Sequence, residues 1–235
     1  MNLSQVMKEL SSMGSEQTKK NWMKHGAREP FYGVKVGDLK KVVKKIKKNH
    51  ELSLELFDTG NSDAMYLAAL IADENKISRR HLQKWVRKAN WYMLSEYSVP
   101  WVASESKHGW NLAVEWIASD KEKIASAGWS TLSNYISIQP DDELPIDKLE
   151  KLLDLVEAQI HSAANRVRYT MNGFVIATAI FVPTLHEKAV SVAKKIGKVT
   201  VDMGGTACKV PVAVDYIDKA IKAGRLGRKR KMARC

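Results

Sequence analysis

Glu96 is the carboxylate in this chain best surrounded for chemistry, because four large aromatics, Trp91, Tyr92, Tyr97 and Trp101, stand close to it in sequence. A carboxylate near C1′ of a nucleotide opposes a developing oxocarbenium charge or orients water, so glycosidic cleavage with Glu96 and Trp91 as catalytic groups is one chemistry the spacing permits. Pairing of Glu96 with a neighbouring arginine, or exposure to water, is the alternative. Upstream, Arg80, Lys84 and Arg87 fall on one face of a helix expected to open after Ser78. The opposite face carries the apolar stripe Leu82, Trp85, Val86 and Ala89. A cationic row ending in the indole of Trp91 would neutralise phosphates and offer a flat surface to a base or sugar. An ordinary solvated helix over core aromatics would carry the same pattern.

Other chemistries find less support. Gly204-Gly205-Thr206-Ala207-Cys208-Lys209 has the wrong glycine spacing for a phosphate-binding loop. His25, His50, His81, His108, His161 and His186 never reach metal-ligand spacing, and Cys208 has no histidine near it in sequence. No metal, no cofactor and no covalent nucleophile is expected. Cys208 and Cys235 form no disulfide framework, and the N-terminus lacks the apolar run of a signal peptide, so a reducing cytoplasm is expected. The chain has 38 Lys and Arg against 26 Asp and Glu, a formal charge of +12, and therefore suits a polyanionic partner. Clustering of the excess favours nucleic acid over a membrane, and the longest apolar run, residues 171–183, is too short to span a bilayer.

The elements that would position these groups are helical. Leu39, Val42, Val43 and Ile46 make a stripe whose remaining faces are filled by lysines, among them Lys44 and Lys48. Residues 64–72 alternate alanine with Met65, Leu67, Leu70 and Ile71, which predicts an inner helix apolar nearly all round. Ser62, Ser119 and Ser162 are read as openers of inner helices, with capping boxes at Ser119/Glu122 and Thr184/Glu187. Pro140 to Pro145 is the clearest break. Residues 165–182 form a second inner helix that begins with Arg166 and Arg168. Residues 197–211 read as a loop, with a short extended piece at 198–201, before a short helix at 215–223. Uneven spacings between Ser62, Ser119 and Ser162, the second of which falls within the ~40 to 47 residues of HEAT-type repeats, suggest stacked helix pairs, a compact non-repeating bundle being the alternative. The expected fold is all-α, a curved superhelical solenoid of HEAT-like antiparallel helix pairs over residues 1–223. Residues 224–235, with Arg225, Arg228, Lys229, Arg230, Lys231 and Arg234 and no acidic residue, are expected to be a mobile basic tail.

Taken together, residues 31–181 resemble the bacterial DNA alkylation-repair family of HEAT-like proteins, which includes DNA glycosylases. The resemblance rests on Phe31-Tyr32-Gly33-Val34-Lys35, the alanine-rich segment 64–72, residues 88–100 with their Trp and carboxylate, and Trp116-Ile117-Ala118-Ser119-Asp120. It implies a basic concave face that holds duplex DNA and, in active members, excision of N3- and N7-alkylated purines. The family's Trp-then-Asp pattern is matched by Trp91 and Glu96, with Glu for Asp and one residue further along. Its arginine falls where this chain has Ser126, and a second Trp falls near Phe174. Arg166 or Arg168 could supply the missing charge from another helix.

Three functions remain open on these grounds: a glycosylase for alkylated purines, a non-catalytic binder of damaged or distorted duplex DNA, and a helical scaffold for an acidic partner. The DNA contacts expected are Trp101, Arg80, Lys84, Arg87, Lys44, Lys48, Arg166, Arg168, Phe174, Arg228, Lys229, Arg230 and Lys231, and the protein is expected to be a monomer. Arg80, Lys84, Arg87, Arg166 and Arg168 are further expected to border one concave surface.

Overall fold

The computed structural model describes residues 1–234. Among the described residues the regular structure is entirely helical. Three N-terminal helices, α1 (Leu3–Met13), α2 (Glu16–Lys24) and α3 (Val36–Ile46), precede five helix pairs. The pairs are α4 (His50–Asp58) with α5 (Ser62–Ile71), α6 (Arg79–Lys88) with α7 (Val99–Glu105), α8 (Gly109–Ile117) with α9 (Glu122–Ile138), α10 (Ile146–Gln159) with α11 (Asn165–Phe181), and α12 (His186–Ile196) with α13 (Ala213–Lys222). A π-helical turn, Met93–Ser98, leads into α7 and carries Glu96. Residues 198–201 form no strand.

Helices α5, α7, α9 and α11 pack in succession as an inner layer, each covered on one side by an outer helix. The amphipathic patterns decide which helix goes where. Nine residues of α5 are buried, as its apolar circumference requires. Helix α6 buries only Leu82, Trp85 and Val86. Trp85 stacks on Phe57 of α4 at 4.1 Å between ring centroids, and Gln83 accepts a hydrogen bond from the Trp116 indole of α8 at 3.2 Å. Those contacts place α6 in the outer layer between α4 and α8, with its basic row turned to water. At the crossing of α8 and α9, a Cβ on Gly128 would lie 2.6 Å from the Ile117 backbone nitrogen, so only glycine fits there.

Ser78 caps α6 as its position predicts, accepting from the His81 N–H. Other helix starts differ. Asn61, rather than Ser62, caps α5. Helix α9 opens at Glu122 and α11 at Asn165, without side-chain caps from Ser119 or Ser162, and Leu185 occupies the N-cap of α12. For α9 the physical reason is a long-range competitor: the Glu122 carboxylate accepts the Arg166 N–H in the first turn of α11 at 2.8 Å, instead of folding back on its own helix.

A similar device explains the Phe31-Tyr32-Gly33-Val34 motif. The Asp63 carboxylate, fully buried at the start of α5, accepts from the backbone N–H groups of Tyr32, Gly33 and Val34 at 2.5, 3.1 and 3.1 Å. Gly33 has φ +78°, which lets three successive amides converge on one carboxylate.

The basic C-terminus is not a loose tail. Residues 227–234 form a strap across the C-terminal ends of the inner helices. Gly227 N–H donates to Ile180 O, Lys229 Nζ donates to Ile136 O and Phe181 O at 2.9 and 2.7 Å, and Arg230 N–H donates to Ser137 O at 2.7 Å. Arg234 donates to Ala72 O at 2.6 Å and pairs with Glu74 and Glu105, both at 2.8 Å. Glu105 also accepts the Ala233 and Arg234 N–H groups. A mobile tail was the expectation because no acidic residue lies near it in sequence. What orders it is a set of helix C-terminal carbonyls, unsatisfied within their helices and at the negative ends of the helix dipoles. The strap also joins two cores: Ala233 is fully buried in the N-terminal cluster, whereas Ile180 and Phe181 belong to the helix at the centre of the C-terminal one.

Candidate nucleic-acid interface

The π-helical turn puts Glu96 in the inner layer, 4 % exposed. Both of its oxygens are taken by Arg166, from Nε at 2.7 Å and from Nη2 at 2.5 Å. The guanidinium lies between two rings, 4.7 Å from the Tyr92 centroid and 4.5 Å from that of Tyr169, with Met203 sulfur 3.5 Å from Nη1. A planar cation paired in this bidentate way and sandwiched by aromatics has little freedom left. Burial pushes the Glu96 carboxyl above its usual range, with Arg166 opposing the shift. For Arg166, burial works against the cation, but the bonds to Glu96 outweigh it and its pKa is raised. Burial likewise raises the Tyr92 and Tyr97 hydroxyls, keeping both neutral hydrogen-bonding groups.

This pair sits at the junction of two openings. The first is a cavity of about 320 Å³ that contains Trp91, Tyr92, Ser126 and Arg166. Trp91 is 5 % exposed, packs 5.3 Å from Trp22, and its indole N–H has no partner. Tyr92 Oη lies 2.9 Å from His25 Nδ1. Ser126 donates its hydroxyl to Lys123 O and lines the same cavity as Arg166. Exposed Lys24, Arg28 and Lys123 stand at the rim. The second opening is a groove of about 230 Å³ between α7, α9 and α11, where Tyr97, Trp101, Asn134, Tyr169 and the strap residue Arg230 meet.

Glu96, Trp91 and Arg166 are therefore brought together, with Trp101 beside them in the adjoining groove. Others are not. Arg80, Lys84 and Arg87 line a separate depression made entirely of α6 residues, so they do not share a surface with Arg166, and Trp91 does not extend their row because α6 ends at Lys88. Arg168 lines neither opening; its Nε is buried without a partner and a terminal nitrogen lies 3.5 Å from Asn165. Phe174 is fully buried against Trp129, at 5.2 Å, and is core rather than a DNA-facing wall. Lys44 is exposed on α3, and Lys48 pairs with Glu74 at 2.7 Å. In the strap, Lys229 is committed to carbonyls and to Asp141, while Arg228, Arg230 and Lys231 remain exposed. Lys24, Arg28 and Lys123 escaped the sequence reading because α2 with its following loop and the start of α9 lie far apart in the chain, and only the fold brings them to one cavity.

Among the described residues no group of three or more His, Cys, Asp or Glu could hold a metal ion. Nor is any single helix long and apolar enough to cross a membrane. Cys208 is exposed, and Cys235 lies outside the described residues.

Comparison with known proteins agrees with this architecture. Residues 6–202 match the family described as DNA alkylation repair enzyme. Two uncharacterised proteins, Lin0241 of Listeria innocua and Lmo0209 of Listeria monocytogenes, are each 37% identical over 222 residues, covering 92% of this chain and 96% of theirs. A solved structure, 41% identical with a TM-score of 0.91 over 100% of both chains, is described as belonging to a new family of proteins related to the HEAT-like repeat DNA glycosylases with affinity for branched DNA structures. The sequence match over most of the chain and the near-superposable helix pairs lead to one conclusion: this chain belongs to the DNA alkylation repair enzyme family and has its HEAT-like repeat fold.

Proposed function

We propose that this protein binds branched or otherwise distorted DNA without excising bases. The observation that carries this is the Glu96–Arg166 pair. A carboxylate that must stabilise a sugar cation needs a lone pair facing the glycosidic bond. Here each oxygen already accepts from one guanidinium, itself held between Tyr92 and Tyr169, and the carboxylate is 4 % exposed, so little of it is left to face a sugar. Freeing Glu96 would leave Arg166, whose side chain is only 17% exposed, without its partner, at a cost of about 3–5 kcal/mol. The affinity for branched DNA described for the 41%-identical protein supports the same choice of substrate. Phosphates would be met by Lys24, Arg28 and Lys123 at the cavity rim, with Arg80, Lys84, Arg87 and Lys44 as further backbone contacts on outer surfaces. Contacts of that kind position a duplex without reading its sequence.

Excision of alkylated purines is the alternative, favoured by the shared cavity of Trp91, Glu96 and Arg166. One pair of assays separates them. Gel-shift titration should show tighter binding to a three-way junction than to linear duplex of the same strands, and incubation with methylated duplex should release no N3-methyladenine or N7-methylguanine above the spontaneous rate. Base release that disappears in Glu96→Gln would overturn the non-catalytic assignment.

A further inference from the structure

The groove between α7, α9 and α11 carries an uneven distribution of chemistry. Tyr97, Trp101 and Tyr169 give it aromatic walls, and Asn134 gives it an amide that donates one N–H to Ser130 O at 2.9 Å, leaving its oxygen and its second N–H for a ligand. Its one carboxylate, Glu96, is neutralised by Arg166. Its only lining cation is Arg230, which comes from the strap and not from any of the three helices. The strap lies beyond residue 202, where the match to the family ends.

Arg230 is also held unusually firmly for an exposed residue. Its backbone N–H is bonded to Ser137 O at 2.7 Å, and Lys229 beside it is anchored on Ile136 O and Phe181 O. One guanidinium nitrogen donates to Ala233 O at 2.9 Å, which fixes the fork and leaves its other donors for an anion. At about 230 Å³ the groove is smaller than the ~300–1,000 Å³ of sites for drug-sized ligands, so it suits one base rather than a base pair. Aromatic walls receive the π-face of any base, and a preplaced arginine receives a phosphate in a bidentate way.

We infer that this groove is a subsite for one unpaired nucleotide at a DNA branch, with its base among Tyr97, Trp101 and Tyr169 and its phosphate on Arg230. This rests on the branched-DNA function proposed above and gives it a physical basis. Taking a base out of a continuous duplex costs unstacking and unpairing energy, whereas a base already unpaired at a branch has no such cost. The subsite therefore selects branches over linear DNA, and the strap places the cation that completes it.

The test uses the full-length protein and a three-way junction with one unpaired 2-aminopurine at the branch, beside a fully paired linear duplex. The wild-type protein should quench the probe and bind the junction more tightly. Arg230→Gln should lower junction affinity about tenfold, the loss of one charge-assisted phosphate contact. It should also flatten the slope of log K against log salt by about 0.9, with linear-duplex affinity unchanged, and Arg230→Lys should recover most of both. Thermal unfolding checks that Arg230→Gln folds, since the guanidinium bonds only to the strap's own Ala233. A branch preference that survives Arg230→Gln with the salt slope intact, or an equal loss on linear duplex, overturns the subsite alone. A wild-type protein with no preference for branches overturns the branched-DNA function and the subsite with it.

Discussion

The outer row of α6 and the inner site around Glu96 come from one continuous stretch, residues 77–102, yet they use charge in opposite ways. Arg80, Lys84 and Arg87 stand in water on the outer layer, where Lys84 pairs with Asp58 at 2.7 Å and both partners are 45% exposed. Glu96 is buried, and its partner Arg166 comes from a helix 70 residues away. An exposed pair gains little, because water already solvates both charges and salt screens them. A buried pair is costly to assemble and far costlier to break. Basic residues in sequence thus mark a surface able to meet phosphate, but the role of a buried carboxylate is fixed by whatever faces it in three dimensions.

The largest effect that would test this contrast is on the buried side. Arg166→Met should destabilise the protein by about 3–5 kcal/mol in chemical denaturation, because Glu96 is left charged without a counterion. Glu96→Gln with Arg166→Met should recover much of that loss. The single variant carries a pH signature. Burial already raises the Glu96 carboxyl, and removing Arg166, the group that lowers it, raises it further. A folded-state pKa above the unfolded one contributes stability at low pH and loses it as pH rises through the folded value. The defect of Arg166→Met should therefore be worst at neutral pH and above and shrink as pH falls toward the ordinary carboxylate range. A defect independent of pH would place the cost in lost packing with Tyr92 and Tyr169 instead.

Next in size is the strap, whose cations are spent on protein rather than held free. Lys229→Met removes the donor to Ile136 O and Phe181 O and should cost about 1–3 kcal/mol, read as a lowered Tm. An unchanged Tm would mean that these carbonyls find water as readily as the amine. On the α6 row the expected change moves from stability to binding. Arg80→Gln with Arg87→Gln should alter stability by no more than about 0.5 kcal/mol. It should flatten the salt slope of DNA binding by about 1.8 if both residues touch phosphate, equally for linear and branched DNA. A loss confined to branched DNA would join the row to the inner site. A comparably small effect on stability, no more than about 0.5 kcal/mol, should come from Lys84→Met, since its partner Asp58 is exposed and retains Lys88 at 3.3 Å.

How far the molecule was legible in its sequence varies with the range of the interactions involved. The apolar all-round pattern of α5, the stripe of α6 and the cap at Ser78 are local, and the structure keeps all three. The start of α11 at Asn165 agrees with the expected inner helix over 165–182, but the capping box of Ser119 with Glu122 does not form, because Glu122 satisfies a backbone N–H in a different helix. Phe174 has the look of an aromatic wall, but in α11 it points into the core against Trp129. The family resemblance rests on short motifs, one of which, residues 31–34, owes its form to a carboxylate about thirty residues later in the chain.

By itself, then, the sequence determined the helical class, the stacking of pairs, the positive charge and the membership of Glu96 and Trp91 in one aromatic site, since periodicity, composition and nearby spacing all act over a few turns of chain. Only the tertiary structure decided that Glu96 is locked to Arg166, that the α6 row faces away from that site, and that the basic C-terminus is a strap carrying Arg230 into the groove. Each of those depends on which groups far apart in sequence meet in a place without water, where an unpaired charge or an unsatisfied helix-end carbonyl must find a partner.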